Sequence, residues 1–125
     1  MKIAVVGSRN FYDFPFLRMT VENYFMKIYR FKRPIFVSGG ARGADKDAEN
    51  FIDFYNQNLE EKIQKEIYLP DWDKFGKGAG FIRNRTIIEN ADLVVAFWNG
   101  ESKGTKNDID LAIKMGKPID IYIRY

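Results

Sequence analysis

At 125 residues, 46% apolar and 30% charged, the chain has the composition of one soluble globular domain (1–125) large enough to bury a real core. It has no cysteine and no histidine, which excludes disulfides, thiolate nucleophiles, Cys-based zinc sites and Ser-His-Asp catalysis. The net charge of +3 is spread along the chain, and its one dense basic run, residues 27–33, closes an expected helix where cations suit the dipole. A nucleic-acid partner is therefore not expected. No apolar run approaches the ~18 residues of a membrane span and the first residues enter a strand directly, so the expected location is the cytoplasm, with no membrane partner.

Residues 3–6 (Ile-Ala-Val-Val) are a fully apolar run ended by Gly7-Ser8-Arg9-Asn10, a strand followed by a loop. Asp13 and Pro15 signal a helix start, and Leu17, Val21, Tyr24, Phe25 and Ile28 supply its buried stripe. Phe14, Phe16, Tyr29 and Phe31 add more aromatic surface than one stripe needs, which is compatible with a homodimer face. Pro34 opens a second strand over 35–37, and Ala44, Ala48, Phe51, Ile52, Tyr55 and Leu59 recur behind it at helical spacing.

Between that strand and helix lies Ser38-Gly39-Gly40-Ala41-Arg42-Gly43-Ala44-Asp45. Such a loop can turn backbone N–H groups onto an anion, and it can equally be a strand-to-helix turn that needs glycine for its angles. It matches neither G-x-G-x-x-G nor the Walker pattern. Asp45 fits either a helix dipole or a ribose hydroxyl.

A third strand is expected at 67–69, stopped by Pro70-Asp71, and a long loop over 72–80 leads to a helix at 81–90. Trp72 in that loop can stack on a base or lid the core, and Asp71 with Asp73 makes too poor a ligand set for a metal. Arg83-Asn84-Arg85 falls in the first turns of the helix, where two arginines oppose the dipole and a nearby anion would resolve the conflict. Residues 93–97 read as a buried strand, 99–105 as a loop, and Ile109, Ala112 and Ile113 as the last helix. Gly116 stops that helix and Pro118 precedes a final strand at 119–123. In the 99–105 loop, Ser102 or Thr105 can cap, Gly104 can admit phosphate, and Asp108 lies one turn into the helix.

Strand and helix alternate throughout, and the strands are continuous apolar runs, the mark of a parallel sheet covered on both faces. The expected fold is α/β: a Rossmann-like doubly wound sheet of five parallel strands, order 3-2-1-4-5. Ligands of such sheets bind outside the carboxyl ends of the strands, where Gly7-Ser8-Arg9 and the three later loops all fall. That places a nucleotide or phosphosugar site there.

Gly7-Ser8-Arg9, Ser38-Gly39-Gly40-Ala41-Arg42-Gly43-Ala44-Asp45, Asp71-Trp72-Asp73-Lys74, Gly80-x-x-Arg83-Asn84-Arg85 and Ser102-x-Gly104-Thr105, in this order, resemble the YspA/YpsA-related branch of the SLOG superfamily, which joins the DNA-processing protein DprA/Smf to the LOG enzymes. The resemblance covers essentially the whole chain and implies a small bacterial or phage protein that binds a nucleotide or nucleotide-derived ligand such as AMP, ADP-ribose or an NAD-like compound. It implies ligand contacts from Gly7, Ser8, Arg9, Ser38, Gly39, Gly40, Ala41, Arg42, Gly43, Asp45, Trp72, Asn84, Ser102, Gly104 and Thr105. No cofactor and no metal are expected.

LOG enzymes hydrolyse the N-glycosidic bond of nucleoside 5′-monophosphates, using an Arg-Lys pair and a Pro-Gly-Gly-x-Gly-Thr-x-x-Glu loop. By position Arg83 matches the arginine, Asn84 replaces the lysine, Gly104-Thr105 match Gly-Thr, and Asp108 stands where the catalytic glutamate would be. Pro-Gly-Gly is replaced by residues 99–103, and Asp is one methylene shorter than Glu. The expectations are thus a sensor or ligand module first, an N-glycosidase with Arg83 and Asp108 as catalytic residues second, and DprA-like single-stranded DNA binding third.

Overall fold

The computed structural model describes residues 1–124. Five parallel strands, β1 (Lys2–Gly7), β2 (Ile35–Ser38), β3 (Gln64–Ile67), β4 (Leu93–Trp98) and β5 (Ile119–Ile123), form one sheet in the order β3-β2-β1-β4-β5. The crossovers carry helices α1 (Phe14–Tyr29), α2 (Ala44–Asn56), α3 (Trp72–Phe75), α4 (Ala79–Asn90) and α5 (Lys103–Lys114), with a 3-10 turn at Gly76–Gly78. This is the expected Rossmann-like order.

Alternation along β1 explains how one strand serves two cores. Ile3 and Val5 face the layer of α1 and α2, packing with Leu17, Val21, Phe25, Ala48 and Ile52. Ala4 and Val6 face the other layer, packing with Ile87, Ile88, Ile109 and Ala112 of α4 and α5. Each fully buried Leu, Ile, Val or Phe among these contributes roughly 1.5–3 kcal/mol, which is why continuous apolar runs become the central strands.

Helix starts follow the local chemistry. The Asp13 carboxylate accepts from the Phe16 N–H and Pro15 sits in the first turn, as expected. The aromatic surplus of α1 is mostly absorbed. Phe25 is buried, Phe16, Tyr24 and Tyr29 pack against the core, and Phe14 is half-buried. Phe31 alone of the set is exposed, beyond the end of the helix.

Two expectations about the third crossover need correction. The third strand is Gln64–Ile67, three residues earlier than 67–69, and Leu69 is exposed. An edge strand tolerates charge when partners supply it: Lys65 pairs with Glu49 at 3.0 Å and Asp53 at 2.7 Å, and Lys2 pairs with Glu66 at 3.0 Å. Residues 72–80 are not a plain loop either. The Asp71 carboxylate caps the Lys74 N–H at 3.1 Å and starts the short α3, and α4 begins at Ala79 rather than residue 81.

Candidate ligand cleft at the carboxyl edge of the sheet

The central strands end where the chain reverses, and three loops meet there. Gly7 closes β1 with no room for a side chain: a Cβ would lie 2.4 Å from Ala44 Cβ and 2.8 Å from the Phe97 carbonyl oxygen. Gly43 has φ +84° and its Cβ would lie 2.3 Å from the Arg9 carbonyl oxygen, so the start of α2 presses directly on the loop after β1. At the third loop Asn99 Oδ1 accepts from the N–H groups of Glu101 (2.9 Å) and Ser102 (2.8 Å), shaping the turn into α5, which Ser102 caps.

The resulting cleft has a volume of about 490 Å³, in the range of small-molecule sites. Of the residues expected to serve a ligand, it gathers Gly7, Arg9, Ala41, Asp45, Arg83, Asn84, Ser102, Gly104, Thr105 and Asp108. Others are near but turned away. Ser8 is buried as a structural joint: its hydroxyl lies 3.2 Å from Thr105 Oγ1 and accepts from the Asn99 N–H at 3.1 Å, while its carbonyl accepts from Phe11 and Ala44. Ser38 is wholly buried beneath the cleft, its hydroxyl unpartnered, and Gly39, Gly40 and Gly43 shape the loop without lining the cavity. Arg42 is exposed. Trp72 is also exposed, beside Gly80 and outside the cleft.

Asn10, Asn99 and Glu101 line the cleft and were not singled out from the sequence. Asn99-Gly100 is an Asx-turn signature that could have flagged the first of the loop pair; nothing local distinguishes Asn10 or Glu101.

The chemistry concentrates on three side chains. Asp45, in the first turn of α2, and Asp108, in the second turn of α5, are both more than nine-tenths buried, and the Oδ1 atom of each has no hydrogen-bond partner. Burial pushes the Asp45 carboxyl up to about 7, against the opposing pull of the Ala41 N–H, the Arg83 charge and the N–H groups of Gly7 and Gly39. Burial also raises Asp108, to about 8, and the neighbouring Asp45 charge raises it further while Arg83 opposes. At neutral pH Asp108 is therefore mostly protonated, while Asp45 lies near its midpoint.

Arg83 sits between α4 and the loop after β2. Its Nη1 donates to the Gly39 carbonyl at 2.8 Å and its Nε to Asn84 Oδ1 at 2.9 Å. The dipole conflict read at residues 83–85 resolves in two ways. Arg83 lies in the second turn and faces the two aspartates, whereas Arg85 points away into an i,i+4 pair with Glu89 at 2.8 Å. Among the described residues no group of three or more Asp, Glu, His or Cys is placed to hold a metal ion, and no helix is long and apolar enough to cross a membrane.

A doubly wound parallel sheet with polar loops converging on a cleft at its carboxyl edge defines an α/β protein of the Rossmann-like class. No family model matches the chain. It is 36% identical over 86 residues to the Gene 61 protein of Mycobacterium phage D29, a match spanning 68% of either protein, and it belongs to that protein's family.

The fold also matches two solved structures. One is DNA processing protein A from Helicobacter pylori, described for its single-stranded DNA binding mode: TM-score 0.69, 20% identity, 97% of this chain and 64% of that one. This chain thus spans just under two thirds of that neighbour. The other is TM1055, a structural-genomics target: TM-score 0.66, 22% identity, 94% of this chain and 71% of that one. At such identities the likeness is one of fold alone, a Rossmann-like α/β sheet.

Proposed function

We propose that this protein binds a nucleotide or nucleotide-derived ligand, such as AMP, ADP-ribose or an NAD-like compound, in the cleft at the carboxyl edge of the sheet, as a sensor or ligand-processing module. The observation that carries this reading is the convergence of Arg9 and Arg83 with the buried Asp45 and Asp108, each with one unpartnered carboxyl oxygen, around one cavity of about 490 Å³. Arginine can hold phosphate bidentately, Gly104 leaves the start of α5 open to an anion, and the aspartates offer acceptors to the rest of the ligand. A ligand that stabilises the native state raises Tm with its occupancy, so a panel of AMP, ADP-ribose and NAD is the first test. A shift with at least one supports the reading, and no shift across the panel contradicts it.

The second reading is an N-glycosidase, favoured by one observation: a buried Asp108 raised to about 8 is protonated at neutral pH and is suited to give its proton to a departing base. Arg83 would then stabilise developing negative charge or hold phosphate. No activated nucleophile stands in the cleft among the described residues, so water would attack the sugar carbon as the base leaves. This reading requires free base to appear with the native protein and to vanish with Asp108→Asn. Single-stranded DNA binding rests on the fold likeness to DNA processing protein A and would show as affinity falling steeply with salt.

A further inference from the structure

The two edges of the sheet are built differently. β3 carries Gln64, Lys65 and Glu66, with Lys65 tied to Glu49 and Asp53 and Glu66 tied to Lys2. Charge of that kind guards an edge against pairing with another strand. β5 has no lysine, no proline and an unbroken register with β4. Ile119, Ile121 and Ile123 alternate along it, and Ile121 and Ile123 are 41% and 37% exposed. Among the described residues no strand pairs with its outer side.

The ladder with β4 fixes which backbone groups stay free. The Arg124 N–H donates to the Trp98 carbonyl at 3.0 Å, and the Val94 N–H to the Pro118 carbonyl at 2.9 Å. By alternation, the N–H and C=O groups of Asp120 and Tyr122 also turn inward to β4, and those of Ile121 and Ile123 turn outward. The side chains divide in the same rhythm. Ile119 packs on the layer of α4 and α5, whereas Tyr122 packs on the layer of α1. Asp120 and Tyr122 both bond the Tyr24 hydroxyl, and the Arg124 guanidinium lies over the Phe16 ring.

We propose that β5 is a self-association edge whose partner is the β5 of a second copy of this chain, antiparallel about a twofold axis at Tyr122. Ile121 then stands opposite the partner's Ile123, and each such pair exchanges both N–H···O bonds through the outward groups. Asp120 stands opposite the partner's Arg124, once on either side of the axis, and the two Tyr122 rings meet between them. The other registers lose this match. Centring on Ile121 or Ile123 leaves Asp120 or Arg124 opposite Tyr122, and centring on Asp120 sets two aspartates face to face. Charge complementarity therefore selects one register and one occupant, the chain itself. Arg124 is free to serve it: its ion pair with Asp13, at 3.4 Å, is solvent-exposed, and its Nη1 bond to the Ile123 carbonyl, at 2.9 Å, gives way to the partner's Ile121 N–H.

The test is sedimentation equilibrium on the wild-type chain, Asp120→Lys, Arg124→Asp and an equimolar mixture of the two variants, with circular dichroism to check folding. Both substituted side chains are exposed. Wild type is expected to form dimers between micromolar and millimolar concentration. Either variant alone sets like charges opposite each other and should weaken self-association about tenfold or more. In the mixture every substituted side chain meets the opposite charge on the other variant, so a mixed dimer should return to wild-type strength. A wild-type chain still monomeric at millimolar concentration overturns the proposal. So does a single variant that dimerises like wild type, or a mixture no stronger than its components. Should either variant lose its native spectrum, Ile123→Pro takes its place, because it deletes an outward N–H and leaves the β4 ladder intact. It should be folded and monomeric, and wild-type dimerisation by it would equally overturn the pairing.

Discussion

Arg83 Nη1 donates to the Gly39 carbonyl at 2.8 Å, so the cation of the cleft is held by the loop that follows β2 rather than by α4 alone. A Cβ on Gly39 would lie 2.5 Å from that nitrogen and 3.0 Å from Cζ. Because the obstructed atoms are the end of a flexible side chain, Gly39→Ala should fold, losing about 1 kcal/mol, while Arg83 is displaced. The expected outcome is a near-native melting curve with nucleotide affinity reduced about tenfold, the worth of one charge-assisted hydrogen bond, read by thermal shift against calorimetry.

Gly43→Ala should behave in the opposite way. Its φ of +84° with ψ −130° suits glycine, and its Cβ would strike the backbone carbonyl of Arg9 at 2.3 Å, which cannot swing aside. We expect destabilisation of about 3 kcal/mol or more, seen as a large fall in the urea midpoint, with ligand binding lost along with the fold.

Arg83→Met removes the counter-charge from two buried carboxyl groups while keeping the aliphatic stem. Asp45 and Asp108 are each lowered by Arg83, so both should titrate at still higher pH in the variant. Carboxyl carbon shifts followed by NMR through a pH titration would show this, and unchanged midpoints would remove Arg83 from the electrostatics of the site.

Stability should fall as pH rises. The native carboxyl groups of Asp45 and Asp108 titrate near 7 and 8, against 3.8 for the unfolded chain, so between these limits the native state holds protons that the unfolded state has lost. Their contribution is fully present below pH ~4 and is lost progressively up to pH ~8, with a slope of at most about 1.4 kcal/mol per pH unit for each group. Urea unfolding at intervals from pH 5 to 8 checks this. The double variant Asp45→Asn/Asp108→Asn should show a flatter profile over that window.

The sheet order was legible because the central strands are unbroken apolar runs, and the α1 start because Asp13 and Pro15 act locally. β3 was misplaced because its charges are satisfied by α2 and β1, partners that are distant in sequence. The positions of Arg9, Arg83, Thr105 and Asp108 on one edge followed from topology. Which way each loop side chain turns did not. Ser8 and Thr105 each follow a glycine, yet Ser8 is consumed in joining β1, the Asn99 turn and α2, and Trp72 is carried out of the cleft by a four-residue helix. The glycine loop was read as either an anion cradle or a plain turn, and that its Ala41 N–H is directed at Asp45 depends on how α2 docks against β1, which only the fold reveals.

The central claim is that the cleft framed by Arg83, Asp45 and Asp108 binds a nucleotide-derived ligand. Its most direct measurement is calorimetric titration of the wild-type chain and Arg83→Met with AMP, ADP-ribose and NAD. The account predicts saturable one-site binding by wild type for at least one of the three, weakened about tenfold or more in Arg83→Met. No binding by any of them, or equal binding by both proteins, would contradict it.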